Sequence, residues 1–97
     1  MRFRFADRKL EAFYSNGKWK KRFRAVEKDL FTVLDDLQAA SDVRDLCNLK
    51  GLHFEKLRAR ARGEHSLRLN DQFRLIVRIE RDSAGLYIVI EGIEDYH

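Results

Sequence analysis

From Phe73 onward the chain alternates with a period of two: Phe73, Leu75, Val77 and Ile79 are separated by Arg74, Ile76, Arg78 and Glu80. Only a β-strand sends successive side chains to opposite faces in this way, so one face must enter a core while the other presents arginines. Just upstream, Leu67 and Leu69 share a face with Ser66 and Arg68 opposite, and Asn70-Asp71 supplies a tight turn. Asp82-Ser83-Ala84-Gly85 turns the chain into a third strand, Leu86 to about Ile93. The C-terminal half is thus a three-stranded antiparallel meander with one apolar face that must be covered.

The cover lies in the N-terminal half. Phe3 and Phe5 alternate with Arg2 and Arg4 as a short half-buried strand. Asp7 caps a helix with Leu10, Phe13 and Tyr14 on one side, and Asn16-Gly17 stops it. A second helix is predicted from about Lys20 to Ala40, its apolar stripe being Phe23, Val26, Leu30, Val33, Leu34 and Leu37. Ser41-Asp42 starts a short turn through Leu46, and Cys47 to Gly63, without a clean period, reads as loop with one extended piece. The expected fold class is α+β, an N-terminal strand and two helices packed on one face of a mainly antiparallel sheet. With 97 residues, no Pro and five scattered glycines, one domain over residues 1–97 is expected, with no linker or repeat.

No apolar run approaches the roughly 20 residues of a membrane span, and no hydrophobic segment follows the basic N-terminus as in a secretory signal. The lone cysteine, Cys47, has no internal disulfide partner, which fits a cytoplasmic location. The acids Asp42 and Asp45 disfavour a thiolate there, so Cys47 is expected to be buried and inert. Metal binding finds no support in His53, His65, His97 and Cys47, which lack ligand spacing. No cofactor loop is present either, since the glycines are isolated.

The charge is uneven. Lys18, Lys20, Lys21, Arg22 and Arg24 fall together without an acid, and a second basic block runs from Lys56 to Arg81, whereas residues 27–55 and 82–97 are acidic. Two basic blocks point to a polyanionic partner, and 13 of the 20 basic residues are arginines, whose planar fork suits phosphate. Arg68, Arg74 and Arg78 fall on one face of the meander. Arg58, Arg60 and Arg62 recur every second residue, a phosphate track if that piece is extended and solvated charge if it is not. Trp19 either stacks on a base or, four residues before Phe23, joins the helix core, and core packing is favoured. The terminal Asp95-Tyr96-His97 gathers a carboxylate, a phenol and an imidazole beyond the last apolar residue: an acid–base cluster or a frayed polar end.

The run Gly63-Glu64-His65-Ser66-Leu67-Arg68-Leu69-Asn70-Asp71-Gln72-Phe73-Arg74-Leu75, followed by the terminal Glu94-Asp95-Tyr96-His97, resembles the HigB family of toxins within the RelE/ParE superfamily. The resemblance extends upstream through Asn16-Gly17-Lys18 and Val43-Arg44-Asp45-Leu46 and spans essentially the whole chain. It implies a RelE-like fold and a metal-independent endoribonuclease that cuts mRNA in the ribosomal A site. The partners it implies are the 70S ribosome with its mRNA and a HigA-like helix-turn-helix antitoxin, through which operator DNA is reached. Residue by residue it implies catalytic roles for Asp95, Tyr96, His97 and Arg74, with Arg58 as a phosphate ligand. Lys56, Arg60, Arg62, Arg68 and Arg78 are the further candidates for RNA contact.

The sequence departs from the family where some members carry a catalytic histidine: that position is Glu55, with His53 two residues earlier. Ala59 replaces a usual glycine, and Asn48-Leu49-Lys50-Gly51 a Pro-Pro-Gly turn. A carboxylate at Glu55 can serve as a base, with weaker cleavage expected. Two rivals follow from the same residues: a basic module that blocks RNA or ribosome without cutting, and a ParE-like toxin aimed at gyrase.

Overall fold

The computed structural model describes residues 1–16, 21–57 and 63–95. The chain runs β1 (Arg2–Phe5), α1 (Arg8–Asn16), a 3₁₀ segment (Lys21–Val26), α2 (Glu27–Ala39), α3 (Val43–Asn48) and a 3₁₀ turn (Lys50–Leu52). Then come β2 (Glu55–Lys56), β3 (Glu64–Arg68), β4 (Phe73–Asp82) and β5 (Gly85–Asp95). One five-stranded sheet has the order β1-β5-β4-β3-β2, with β1 parallel to β5 and the other pairs antiparallel. The α+β class and the terminal meander are therefore as the periodicities require.

Local chemistry explains the turns and ends. The Asp7 carboxylate accepts hydrogen bonds from the Lys9 and Leu10 amides at 2.8 and 3.4 Å, capping α1. At α3 the Asp42 carboxylate accepts from the Asp45 amide at 3.0 Å while Asp45 accepts from the Ser41 amide at 2.8 Å, a reciprocal cap. Asn70 Oδ1 accepts from the amides of Gln72 (2.9 Å) and Phe73 (2.7 Å), fixing the β3–β4 hairpin and its register.

Two expectations are corrected. The helix predicted from Lys20 to Ala40 is split: residues 21–26 are 3₁₀ and the α-helix begins at Glu27. A continuous helix would have set a lysine and arginine cluster against the positive end of its dipole, whereas the split puts Glu27 and Asp29 in the first α-helical turn. Cys47 is exposed, not buried, because α3 turns Leu46 inward and the next position outward. Trp19 lies outside the described residues.

The core is one layer between helices and sheet. Leu30, Val33, Leu34 and Leu37 of α2, Leu10 of α1 and Leu46 of α3 meet Leu67, Phe73, Leu75, Val77, Ile88 and Ile90. Phe23 meets Phe73 edge-on at 5.7 Å, so the apolar stripe persists through the 3₁₀ segment. Ile76 and Val89 are equally buried but stand on the other face, outside that cluster. Among the described residues no helix is long and apolar enough to cross a membrane.

Candidate functional site

The sheet face turned away from the helices carries the chemistry, and its layout follows from register. Across β3, β4 and β5, Arg68 pairs with Arg74 and Arg74 with Glu94, Ser66 pairs with Ile76 and Ile76 with Gly92, and Glu64 pairs with Arg78 and Arg78 with Val89. Beyond these, Glu80 pairs with Tyr87, which pairs with Arg2 of β1, and Arg4 pairs with Val89. On the opposite edge Glu55 pairs with Ser66. Directly opposed residues share a face, so these side chains form one surface.

Arg74 is half-buried at one end of it. Its Nη2 donates to the Ser66 carbonyl at 3.4 Å and, in a closer contact, to the His53 carbonyl. That second acceptor is presented by an unusual backbone, since His53 is left-handed at φ 45° and ψ 55°, closing the 3₁₀ turn before β2. Nearby, Phe54 stacks flat on His65, with ring centroids 4.6 Å apart, and His65 Nδ1 donates to the Gly63 carbonyl at 3.0 Å. The segment bearing Glu55 is thereby fastened beside Arg74. These two carbonyl acceptors help to orient the guanidinium, and Glu94 stands across from it in register.

The other arginines are held differently. Arg78 Nε donates to Glu80 at 2.7 Å, and its Nη1 makes a closer pair with Glu91. The Glu80 hydrogen bond, then Glu91, Glu80 and Glu64 as neighbouring charges, raise the Arg78 pKa above its ordinary value. Glu91 reaches it through an irregularity: Ile76 pairs with Gly92 but Val77 with Ile90, so Glu91 is the extra residue of a bulge. Arg68 pairs closely with Asp71 in the hairpin turn. Arg2 forks onto Asp82 at 3.0 and 2.7 Å, which raises its own pKa and holds the Asp82 carboxyl below the usual carboxylate range.

The structure thus brings together Arg68, Arg74, Arg78 and Glu55 of the residues singled out in the sequence. Lys56 pairs with His65 and takes the alternate face. Asp95 pairs with Phe73, on the helix side, and accepts from Gln72 Nε2 at 3.1 Å, while its neighbour Glu94 shares the Arg74 face. The His53 side chain is exposed, and its carbonyl is what touches Arg74. Arg58, Arg60, Arg62, Tyr96 and His97 lie outside the described residues. Sequence reasoning set Glu80 on the face of Arg74 and Arg78 but missed Glu94 and Glu91 as neighbours of the arginines. The strand period was signal enough for Glu94, but the bulge hid Glu91.

A mixed five-stranded sheet with helices on one face and an arginine-bearing surface on the other is the architecture of RelE-like toxins. Residues 3–97 match the model of the family described as RelE-like toxin of type II toxin–antitoxin system HigB. The chain is also 38% identical over 77 residues to Toxin HigB-1 of Vibrio cholerae, an alignment covering 78% of this chain and 81% of that protein. The chain belongs to the HigB-like toxin family, and a toxin of such a system has an antitoxin as its partner.

Proposed function

We propose that the protein is an mRNA endoribonuclease that cuts in the A site of the 70S ribosome and is neutralised by a HigA-like helix-turn-helix antitoxin in the cytoplasm. The single observation that carries this reading is Arg74, a guanidinium fixed by the carbonyls of His53 and Ser66 on a sheet face that also holds Glu55 and Glu94. A fixed fork suits the two non-bridging oxygens of a phosphodiester.

In this reading the 2′-hydroxyl of the substrate is the nucleophile, so no serine or cysteine is required. Its oxygen bonds to phosphorus, the bond from phosphorus to the 5′-oxygen breaks, and a 2′,3′-cyclic phosphate and a 5′-hydroxyl result. One group removes the 2′ proton and another delivers a proton to the 5′-oxygen. Arg74, with Arg58, binds the phosphoryl oxygens as charge builds on them. Glu55 or His53 takes the first proton and His97 gives the second, with Tyr96 stacking on a base or relaying a proton. Asp95, on the alternate face from Arg74, has no part in the step. Arg60, Arg62 and Arg68 hold flanking phosphates, whereas Lys56 takes the alternate face. The weaker electrostatic contribution falls to Arg78, whose charge is met by Glu80 and Glu91. Glu55 at the position of a family histidine favours a modest rate, and it is also the observation behind a second reading, a toxin that occupies the ribosome without cutting.

Ribosomes programmed with a defined message separate the two. Primer extension is expected to show cuts inside the A-site codon with the wild-type protein, with cyclic phosphate ends and no dependence on added metal. Translation arrest without any cut would support the blocking reading and contradict cleavage.

A further inference from the structure

At the far end of the same sheet face lies a cluster that the proposed cleavage does not use. Arg2 and Arg4 of the edge strand β1 both reach over the ring of Tyr87 on β5, at 5.3 and 5.7 Å from its centroid. Together with Phe3 and Asp82 they line a shallow hollow of about 370 Å³. Arg2 is committed to Asp82 by two hydrogen bonds and donates a third to the Gly85 carbonyl at 3.3 Å, which fixes it in place. Arg4, by contrast, is exposed and makes no ion pair among the described residues, so cation–π attraction to Tyr87 orders a charge that still needs an anion.

We infer that Arg4 and Tyr87 form a subsite for the single-stranded message on one side of the cleaved linkage, Tyr87 stacking on a base and Arg4 meeting its phosphate. This rests on the nuclease reading above. An aromatic ring beside an ordered guanidinium is the pairing that binds single-stranded nucleic acid with little sequence preference. Position supports the same occupant. Arg4 is in register with Val89 and Arg78, four β4 residues from Arg74, or about 13 Å along the strand at ~3.3 Å per residue, and two strands across at about 4.8 Å each. Tyr87 is in register with Glu80, six residues from Arg74, or about 20 Å on the same scale. That span holds about six stacked nucleotides at ~3.4 Å each, and fewer in a stretched strand. Between the two ends that face carries Ile76 and Val89, both buried beneath their neighbours, and Arg78 with its partners Glu80 and Glu91.

The test uses the intact protein in two assays. One is binding of a fluorescein-labelled mixed-sequence 12-nucleotide RNA over a series of salt concentrations. The other is cleavage of a defined message on ribosomes, with KM and kcat read separately. Tyr87→Ala is expected to weaken RNA binding and raise KM by about 5- to 100-fold with kcat unchanged. Tyr87→Phe, which keeps the ring, is expected to stay within about twofold of wild type. Arg4→Ala is expected to flatten the dependence of log affinity on log salt by about 0.7, the loss of one phosphate contact on a single strand. If the wild type cuts but folded Tyr87→Ala and Arg4→Ala bind and cut like it, the subsite is overturned and the nuclease reading stands. If these variants lose the antitoxin while binding RNA normally, the subsite is likewise overturned. If the wild type binds RNA through Tyr87 but never cuts, the subsite stands and the nuclease reading falls.

Discussion

The two faces of this sheet are made from the same strands yet are governed by different physics. On the helix side, Leu67, Leu75, Val77, Ile88 and Ile90 vanish into one apolar layer, and what matters there is volume and water exclusion. On the other side each arginine is defined by its partners: Arg78 by Glu80 and Glu91, Arg68 by Asp71, Arg2 by Asp82, and Arg74 by the carbonyls of His53 and Ser66. The difference teaches that counting arginines on a face overstates the charge available to a ligand. Arg78, Arg68 and Arg2 each bring their own carboxylate counter-ions, whereas the Arg74 fork is also aimed by two backbone carbonyls, which fix its direction.

This contrast can be broken from either side. The largest expected effect is on the helix side: Leu75→Ala, at a position with no solvent exposure, should cost about 2–5 kcal/mol of stability in chemical denaturation. That is a large share of the roughly 5–15 kcal/mol that holds a domain together. Removing the α3 cap with Asp42→Ala should cost about 1 kcal/mol in the same experiment and leave the sheet face untouched. The smallest effect is at the Arg2–Asp82 pair. Because Arg2 lowers the Asp82 pKa in the folded state, the pair stabilises the protein above the unfolded carboxyl value of about 3.9, and this is lost as pH falls through the lower folded value. Melting curves of wild type and Asp82→Asn should therefore differ slightly near pH 6 and converge in acid. The difference at pH 6 should also shrink in 1 M salt, since both side chains are exposed.

Much of the fold was legible because it is written in short periods. Alternation gave β3, β4 and β5 and their faces, Asn70 gave the hairpin, and Asp7 gave the start of α1. What the sequence did not reveal depends on contacts between distant segments. The break at Glu27 reflects the balance between an apolar stripe and the charges along it, and the stripe alone hides it. The bulge at Glu91 shifts the β5 alternation by one residue, so the strand pattern does not assign that carboxylate to Arg78. Arg74 was identifiable as a sheet-face arginine, but its tie to the left-handed His53 links residues 21 apart in the chain. Asp95, grouped in the sequence with the arginine ribbon, takes the alternate face from Arg74 and is joined to Gln72.

The most direct test of the central idea, that binding partners and not charge alone decide which arginine acts on the phosphate, is single-turnover cleavage on programmed ribosomes by Arg74→Ala and Arg78→Ala, both confirmed as folded. Loss of Arg74 should slow the cut by about 10²–10³-fold, the usual consequence of deleting one donor to a developing oxyanion. Loss of Arg78 should slow it by less than about tenfold, because its charge is already met by two carboxylates. Equal losses, or a larger one at Arg78, would contradict the account.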